Sequence, residues 1–172
     1  MLFRSLPSDT SGSNASASPQ PAHELLFIDG SIVGYEKLIA AARDDVQVVV
    51  IDSSRDGFAQ ISAALAGREY IAAIHLVTHG DPGRVALGDG AMTVQSLDEH
   101  ATEVASWSSS LAAGADFLIY GCDVGQGMQG QALLARLASL TGADTAASSN
   151  LTGNVAHGRS EEHTSELQSQ ST

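Results

Sequence analysis

The sequence predicts an α/β fold: a three-layer αβα sandwich around a mostly parallel sheet, with a small β-hairpin inserted after the third strand. Two observations lead there. Five short runs are apolar on both faces and rich in β-branched residues, as strands covered on both sides must be. The segments between most of them carry apolar residues at helical spacing over 10–15 positions, the alternation that produces parallel sheets. In such folds function gathers at the carboxyl ends of the strands.

In order, "ELLFIDG" is the first strand and ends at Asp29-Gly30; Tyr35, Leu38, Ile39 and Ala42 then recur at helical spacing. "VQVVVIDSS" is the second and also stops at an acid, Asp52. Asp56 can cap the next helix, whose apolar side is Phe58, Ile61 and Leu65, with Gly67 near its end. "IAAIHLVTHG" is the third strand, and "RVALGDGAMTV" reads as a hairpin turned at Gly88-Asp89-Gly90. Ser96 with Glu99 forms a capping box, followed by Leu97, Val104, Trp107 and Leu111 on one helical face. "ADFLIYGC" is the fourth strand. Met128, Leu133, Leu134, Leu137 and Leu140 mark a helix stopped by Gly142, and "ADTAASS" is the fifth strand.

At 172 residues the chain is about one domain long. Residues 1–22, rich in Ser, Pro, Asn and Gly, read as a flexible leader without the apolar core of a secretory signal peptide. Residues 23–158 form the domain. The stretch "RSEEHTSELQS" within residues 159–172 resembles a translated sequencing adapter, so a non-native tail and a C-terminally truncated domain are expected. The net charge of −12 argues against nucleic acid and anionic membrane as partners, because like charges repel. No apolar run approaches the roughly 20 residues that cross a bilayer, so no membrane insertion is expected. One cysteine excludes an internal disulfide and a cysteine-rich metal site. His75 and His79 lie about 13 Å apart along a strand and cannot share an ion, so neither metal nor cofactor is expected.

The glycines Gly125, Gly127 and Gly130 spell G-x-G-x-x-G between a strand and a helix, the pattern of a dinucleotide turn. It lies on the fourth strand instead of the first, no Walker-type lysine accompanies it, and Asp144 begins a strand where a ribose-binding acid should end one. A nucleotide or phosphate binder is therefore the weaker reading. His79 and Cys122 end consecutive strands of the sheet. A thiol attacks as thiolate and needs a base or a positive field nearby; a histidine on the same sheet edge supplies the first and the N-terminus of the following helix the second. The N–H groups of Gly80 and Cys122 could together hold an oxyanion. The residues by themselves leave two readings open: a nucleophile with its base, or a small core cysteine before a turn.

"VTHGDPGRVALG" followed by "DFLIYGCDVGQGMQG" resembles the caspase-like cysteine peptidases, whose pattern is one strand ending His-Gly and a later one ending Ala-Cys or Gly-Cys. "LLFIDGSI", "VVVIDSSRDGFAQISAAL", "THGDPG", "LIYGCDVG" and "GADTAASSNLTG" resemble domain-of-unknown-function family 4347, found in very large bacterial surface and adhesin-like proteins. The resemblance implies a caspase-like or flavodoxin-like sheet, His79 as base or proton shuttle, Cys122 as nucleophile, and Gly80 and Cys122 as oxyanion donors. It implies a polypeptide partner, either a substrate or the parent chain, and an extracellular or cell-surface setting. The alternative is a non-catalytic interaction or folding module. Asp29, Asp52 and Asp123 fall at or near the same edge, and their charge favours a basic residue before the scissile bond.

Overall fold

The computed structural model of the chain describes residues 23–149. Its elements are β1 (His23–Asp29), α1 (Tyr35–Ala41), β2 (Val46–Ile51), α2 (Gly57–Leu65), β3 (Ile71–Val77), β4 (Gly80–Asp81), β5 (Arg84–Leu87), β6 (Gly90–Met92), α3 (Val94–Glu99), α4 (Ala101–Ser106), a 3-10 turn (Trp107–Ser110), β7 (Leu111–Tyr120), α5 (Gly127–Thr141) and β8 (Asp144–Ala147). The leader and the adapter-like tail lie outside the described residues.

Five strands form a parallel sheet in the order β2-β1-β3-β7-β8, and β4-β5-β6 form a small antiparallel sheet beside it. The α/β class and the inserted hairpin therefore hold. The order follows from right-handed crossovers. The chain steps from β1 outward to β2, then crosses back to β3 and continues the other way to β7 and β8. The direction reverses between the neighbours β1 and β3, which makes their carboxyl ends the switch point where doubly wound folds place their sites.

The core lies on one face of the sheet. Leu25 and Phe27 of β1, Ile74 and Leu76 of β3, and Phe117 and Ile119 of β7 pack with side chains of α2, α4 and α5. Trp107 is central: its ring stacks 6.3 Å from Phe58 and 6.3 Å from Phe117, and its Nε1–H donates to Ser62 Oγ at 2.8 Å. On the opposite face Leu26, Val48, Val77 and Leu118 remain half-buried, and α1 buries no residue of its own. One crossover runs in the reverse direction, so one helix serves that face.

Asp56 caps α2 as its position suggested, accepting from Phe58 N–H at 2.8 Å and Ala59 N–H at 3.2 Å. Asp56→Ala should cost about 1 kcal/mol in urea unfolding; an unchanged midpoint would show that the cap is redundant with the Asp56–Gly88 bridge.

The third helical region differs from the sequence reading. The capping box uses Thr93 and Ser96, with Thr93 Oγ1 accepting from Ser96 N–H and Ser96 Oγ from Thr93 N–H. Ser96 closes that box at position N3 instead of opening it. The helix also breaks at His100, whose ring stacks on Phe58 at 4.3 Å and whose Nδ1 lies 3.0 Å from Glu103. Leu111 begins β7, four residues ahead of the expected start. The preceding 3-10 turn swings the backbone out of the helix before it can carry Leu111 on the helical face.

Candidate functional site

The parallel ladder between β3 and β7 pairs Val77 with Tyr120, and Thr78 N–H still donates to Tyr120 O at 3.1 Å. The paired ladder ends there, and the next residues, Thr78-His79-Gly80 and Gly121-Cys122, still run close together: a Cβ on Gly121 would lie 3.5 Å from Gly80 N, and one on Gly80 3.5 Å from Cys122 O. Continued pairing would have Cys122 N–H donate to Thr78 O and Gly80 N–H to Cys122 O. Neither bond forms, and among the described residues neither N–H has a hydrogen-bond partner. Gly80 opposes Val85 in β4-β5, but the bond formed next to it is Ala86 N–H to His79 O at 2.8 Å, so Gly80 N–H points away from β5. Two neighbouring donors are thus released at the mouth of the sheet.

Their spacing is held by a buried wedge. Val124 is fully buried, and its Cγ2 fills the space above both glycines. A Cβ on Gly121 would lie 2.8 Å from that methyl, and one on Gly80 would overlap it and come 3.0 Å from Arg84 O. Val124 O also accepts from Gly83 N–H at 3.0 Å, tying the hairpin to the loop after β7. Val124 was not marked by the sequence; a single valine in a glycine loop looks like any apolar residue until the two strand ends are side by side.

Cys122 and His79 are both exposed. The thiol and the ring sit on adjacent strand ends, and no hydrogen bond joins them among the described residues. Active-site pairs are often loose before substrate arrives. Asp123 follows with φ +53°, the left-handed conformation that aspartate tolerates better than most side chains, and its carbonyl accepts from Gln126 N–H at 2.9 Å. That turn feeds α5, whose 15 residues begin five positions after Cys122 with no side-chain cap on the N-terminus.

The remaining acids of the proposed pocket lie apart. Asp29 is 2% exposed. Its Oδ1 accepts from Ser31 N–H at 2.8 Å, and its Oδ2 faces Thr78 Oγ1 at 3.3 Å. The Thr78 hydroxyl, with one proton, is closest to Ala86 O at 2.6 Å and also 3.3 Å from His79 O. Thr78 and Asp29 therefore tie β1, β3 and the hairpin together directly beneath His79. Thr78 is a second residue the sequence did not mark, although a polar side chain on the inward-facing parity of β3 is a signal. Asp52 ends β2, two strands from His79 in the sheet order. Hydrogen bonds from the Ser54 hydroxyl and N–H hold its carboxyl below the usual range. Only Asp123 is next to the cysteine.

Two of the G-x-G-x-x-G glycines serve packing, while Gly127 has open space around it and adopts φ +65°. A Cβ on Gly125 would meet Ala147 O at 3.1 Å, and one on Gly130 would overlap the backbone of Val124 and Gly125. These hydrogens let the loop, α5 and β8 approach, with Gly125 N–H donating to Ser148 O at 3.1 Å. His75 is engaged on the half-covered face, its Nδ1 3.1 Å from the Tyr120 hydroxyl and its Nε2 3.3 Å from Glu24. Burial first, then Glu24 and Asp116, pushes the Tyr120 hydroxyl above its ordinary pKa.

A family profile described as "Domain of unknown function (DUF4347)" matches residues 25–169. The chain belongs to that family. No curated protein matches it. The DUF4347 match spans every element described above from Leu25 of β1 to the end of β8, and so takes in both His79-Gly80 and Gly121-Cys122. It also runs past residue 158 into the adapter-like stretch.

Proposed function

We propose that this DUF4347 domain is a caspase-like cysteine endopeptidase working by acyl transfer through Cys122 and His79. The observation that carries the reading is the pair of released N–H groups, Gly80 and Cys122, beside an exposed thiol at the switch-point end of the sheet. The Cys122 sulfur attacks the scissile carbonyl carbon, and the carbonyl oxygen, now negative, sits between the two donors. His79 takes the thiol proton and hands it to the departing amine as the C–N bond breaks. Water then hydrolyses the thioester, releasing the acid and restoring the thiol. The uncapped N-terminus of α5 adds a positive end near the sulfur.

The substrate is a polypeptide, either a separate chain or the parent protein, in an extracellular or cell-surface setting. With Asp29 buried and Asp52 two strands away, any preference for a basic residue before the scissile bond rests on Asp123. The second reading is a non-catalytic interaction module of an adhesin-like protein, favoured by the missing hydrogen bond between thiol and ring.

Iodoacetamide labelling of Cys122 separates them. At mildly acidic pH, the wild type should label at least about tenfold faster than His79→Ala, because the histidine supplies the base that generates thiolate. Equal rates in the two proteins would retire the peptidase reading and leave the module. Cleavage of matched peptides with Arg or Asp before the scissile bond tests specificity: Asp123→Asn should abolish a preference for Arg, and no preference in the wild type would dismiss the charge argument.

A further inference from the structure

We propose that Thr78 is the positioning residue for the Gly80 amide: its hydroxyl takes the place of the His79 N–H on Ala86 O and so sets how β3 leaves the sheet. The part this amide plays in acyl transfer rests on the peptidase reading above; its placement by Thr78 does not. β3 changes partners within three residues. Thr78 N–H makes the last bond to β7, at Tyr120 O, and Gly80 already opposes Val85 in the antiparallel hairpin. The change of partner falls on His79.

An ordinary antiparallel ladder would make that change through a two-bond pair, with Ala86 N–H donating to His79 O and His79 N–H returning to Ala86 O. Only the first bond forms, at 2.8 Å. The second acceptor is taken by Thr78 Oγ1, 2.6 Å from Ala86 O, and His79 N–H has no partner among the described residues. A hydroxyl carries one proton. The shortest of its three contacts places that proton on the hairpin, ahead of Asp29 Oδ2 and His79 O, each at 3.3 Å.

Strand alternation puts the hydroxyl where it can do this. Ile74, Leu76 and Thr78 follow one another along the core-facing side of β3, as Leu25, Phe27 and Asp29 do along that of the neighbouring β1. The two polar residues therefore close adjacent apolar rows, and both are enclosed, Thr78 at 6% exposure and Asp29 at 2%. In such a place little water competes for the hydroxyl, and its bond to Ala86 O is correspondingly firm. A serine can make the same bond; a valine of the same shape cannot.

Without the hydroxyl, Ala86 O is left to the free His79 N–H, and the hairpin closes on β3 as a regular pair. That closure turns the Thr78–His79 peptide toward β5 and pulls the adjoining Gly80 amide with it. The Val124 methyl limits how far Gly80 and Gly121 can approach it; Thr78 sets how the backbone before Gly80 is turned. The Gly80 N–H, unpaired now, is the group that both constraints converge on.

Amide hydrogen exchange followed by NMR on the full 172-residue chain tests it. Thr78→Val should slow exchange at the His79 amide by at least about tenfold, because that group gains an acceptor, and should move the Gly80 amide resonance. Thr78→Ser, which keeps the hydroxyl, should leave both as in the wild type. A merely structural role would bring faster exchange in the valine variant, since a destabilised segment opens more often. In peptide cleavage Thr78→Val should lower kcat by at least about tenfold with KM within about twofold, as expected of a displaced transition-state donor, and Thr78→Ser should recover it. If the valine variant fails to fold by circular dichroism, Thr78→Ala makes the same comparison. The proposal is overturned by an unslowed His79 amide, by a serine variant that behaves like the valine one, or by an active enzyme whose kcat survives Thr78→Val. A wild type that cleaves no peptide counts against the peptidase reading alone, and exchange at His79 still decides on Thr78.

Discussion

Trp107→Ala should lower the unfolding free energy by about 3–5 kcal/mol, enough to unfold a marginal domain. The indole is 1% exposed and sits between Phe58 and Phe117, bridging α2 to β7. Removing it deletes the largest fully buried side chain and strips the Ser62 hydroxyl of its donor, leaving that hydroxyl to bond Glu103 alone. Urea unfolding measures the effect. Trp107→Phe should recover most of the packing but not the hydrogen bond, and should fall between the two. A loss below about 1 kcal/mol for the alanine variant would mean that the surrounding helices collapse into the space, and that the core is not organised around this ring.

The second large effect is Gly80→Ala. A methyl there overlaps Val124 Cγ2, and the Arg84 carbonyl 3.0 Å away blocks retreat on the other side. Overpacking of this kind costs about 1–3 kcal/mol. The displacement falls at the Gly80 amide, one of the two unpaired donors, so labelling or cleavage at Cys122 should drop with stability. Val124→Ala removes the offending methyl. Combined with Gly80→Ala it should restore a large part of the stability lost by the glycine variant, a coupling that a double-mutant cycle measures directly. Strict additivity of the two changes would show that the clash is relieved elsewhere. If the double variant regains fold and thiol reactivity together, the wedge positions the site; if it regains fold alone, the position of the Gly80 amide matters independently of packing.

The strands were legible for a simple reason. A parallel strand covered on both faces is largely apolar in both parities, so Val46–Ile51, Ile71–Val77 and Phe117–Tyr120 stand out as mostly apolar runs whatever surrounds them. The Asp56 cap was equally visible because an N-cap depends on its own next three residues. The region after the hairpin was not. Thr93-Ser96 and Ser96-Glu99 both satisfy the spacing of a capping box. Sequence alone does not choose between them, and the choice is made where Ser96 Oγ also reaches Ala91 O in β6. The break at His100 depends on Phe58, more than forty positions away, and no local pattern contains it.

The same division runs through the site. Local sequence by itself determined that His79 and Cys122 follow strands, that glycines flank both, and that the chain carries a net charge of −12. Those properties belong to short stretches or to the sum of charges. Tertiary structure decided which strand ends are neighbours, and hence that the segments carrying His79 and Cys122 leave the sheet side by side after β3 and β7. It decided that Asp29 is enclosed under Thr78 and the hairpin. It also decided that two amides beyond that ladder go unpaired among the described residues, with Val124 in the space above Gly80 and Gly121. Pairing, enclosure and vacancy are relations between segments far apart in the chain, and they come into being only when the hydrophobic faces of those segments are buried against one another.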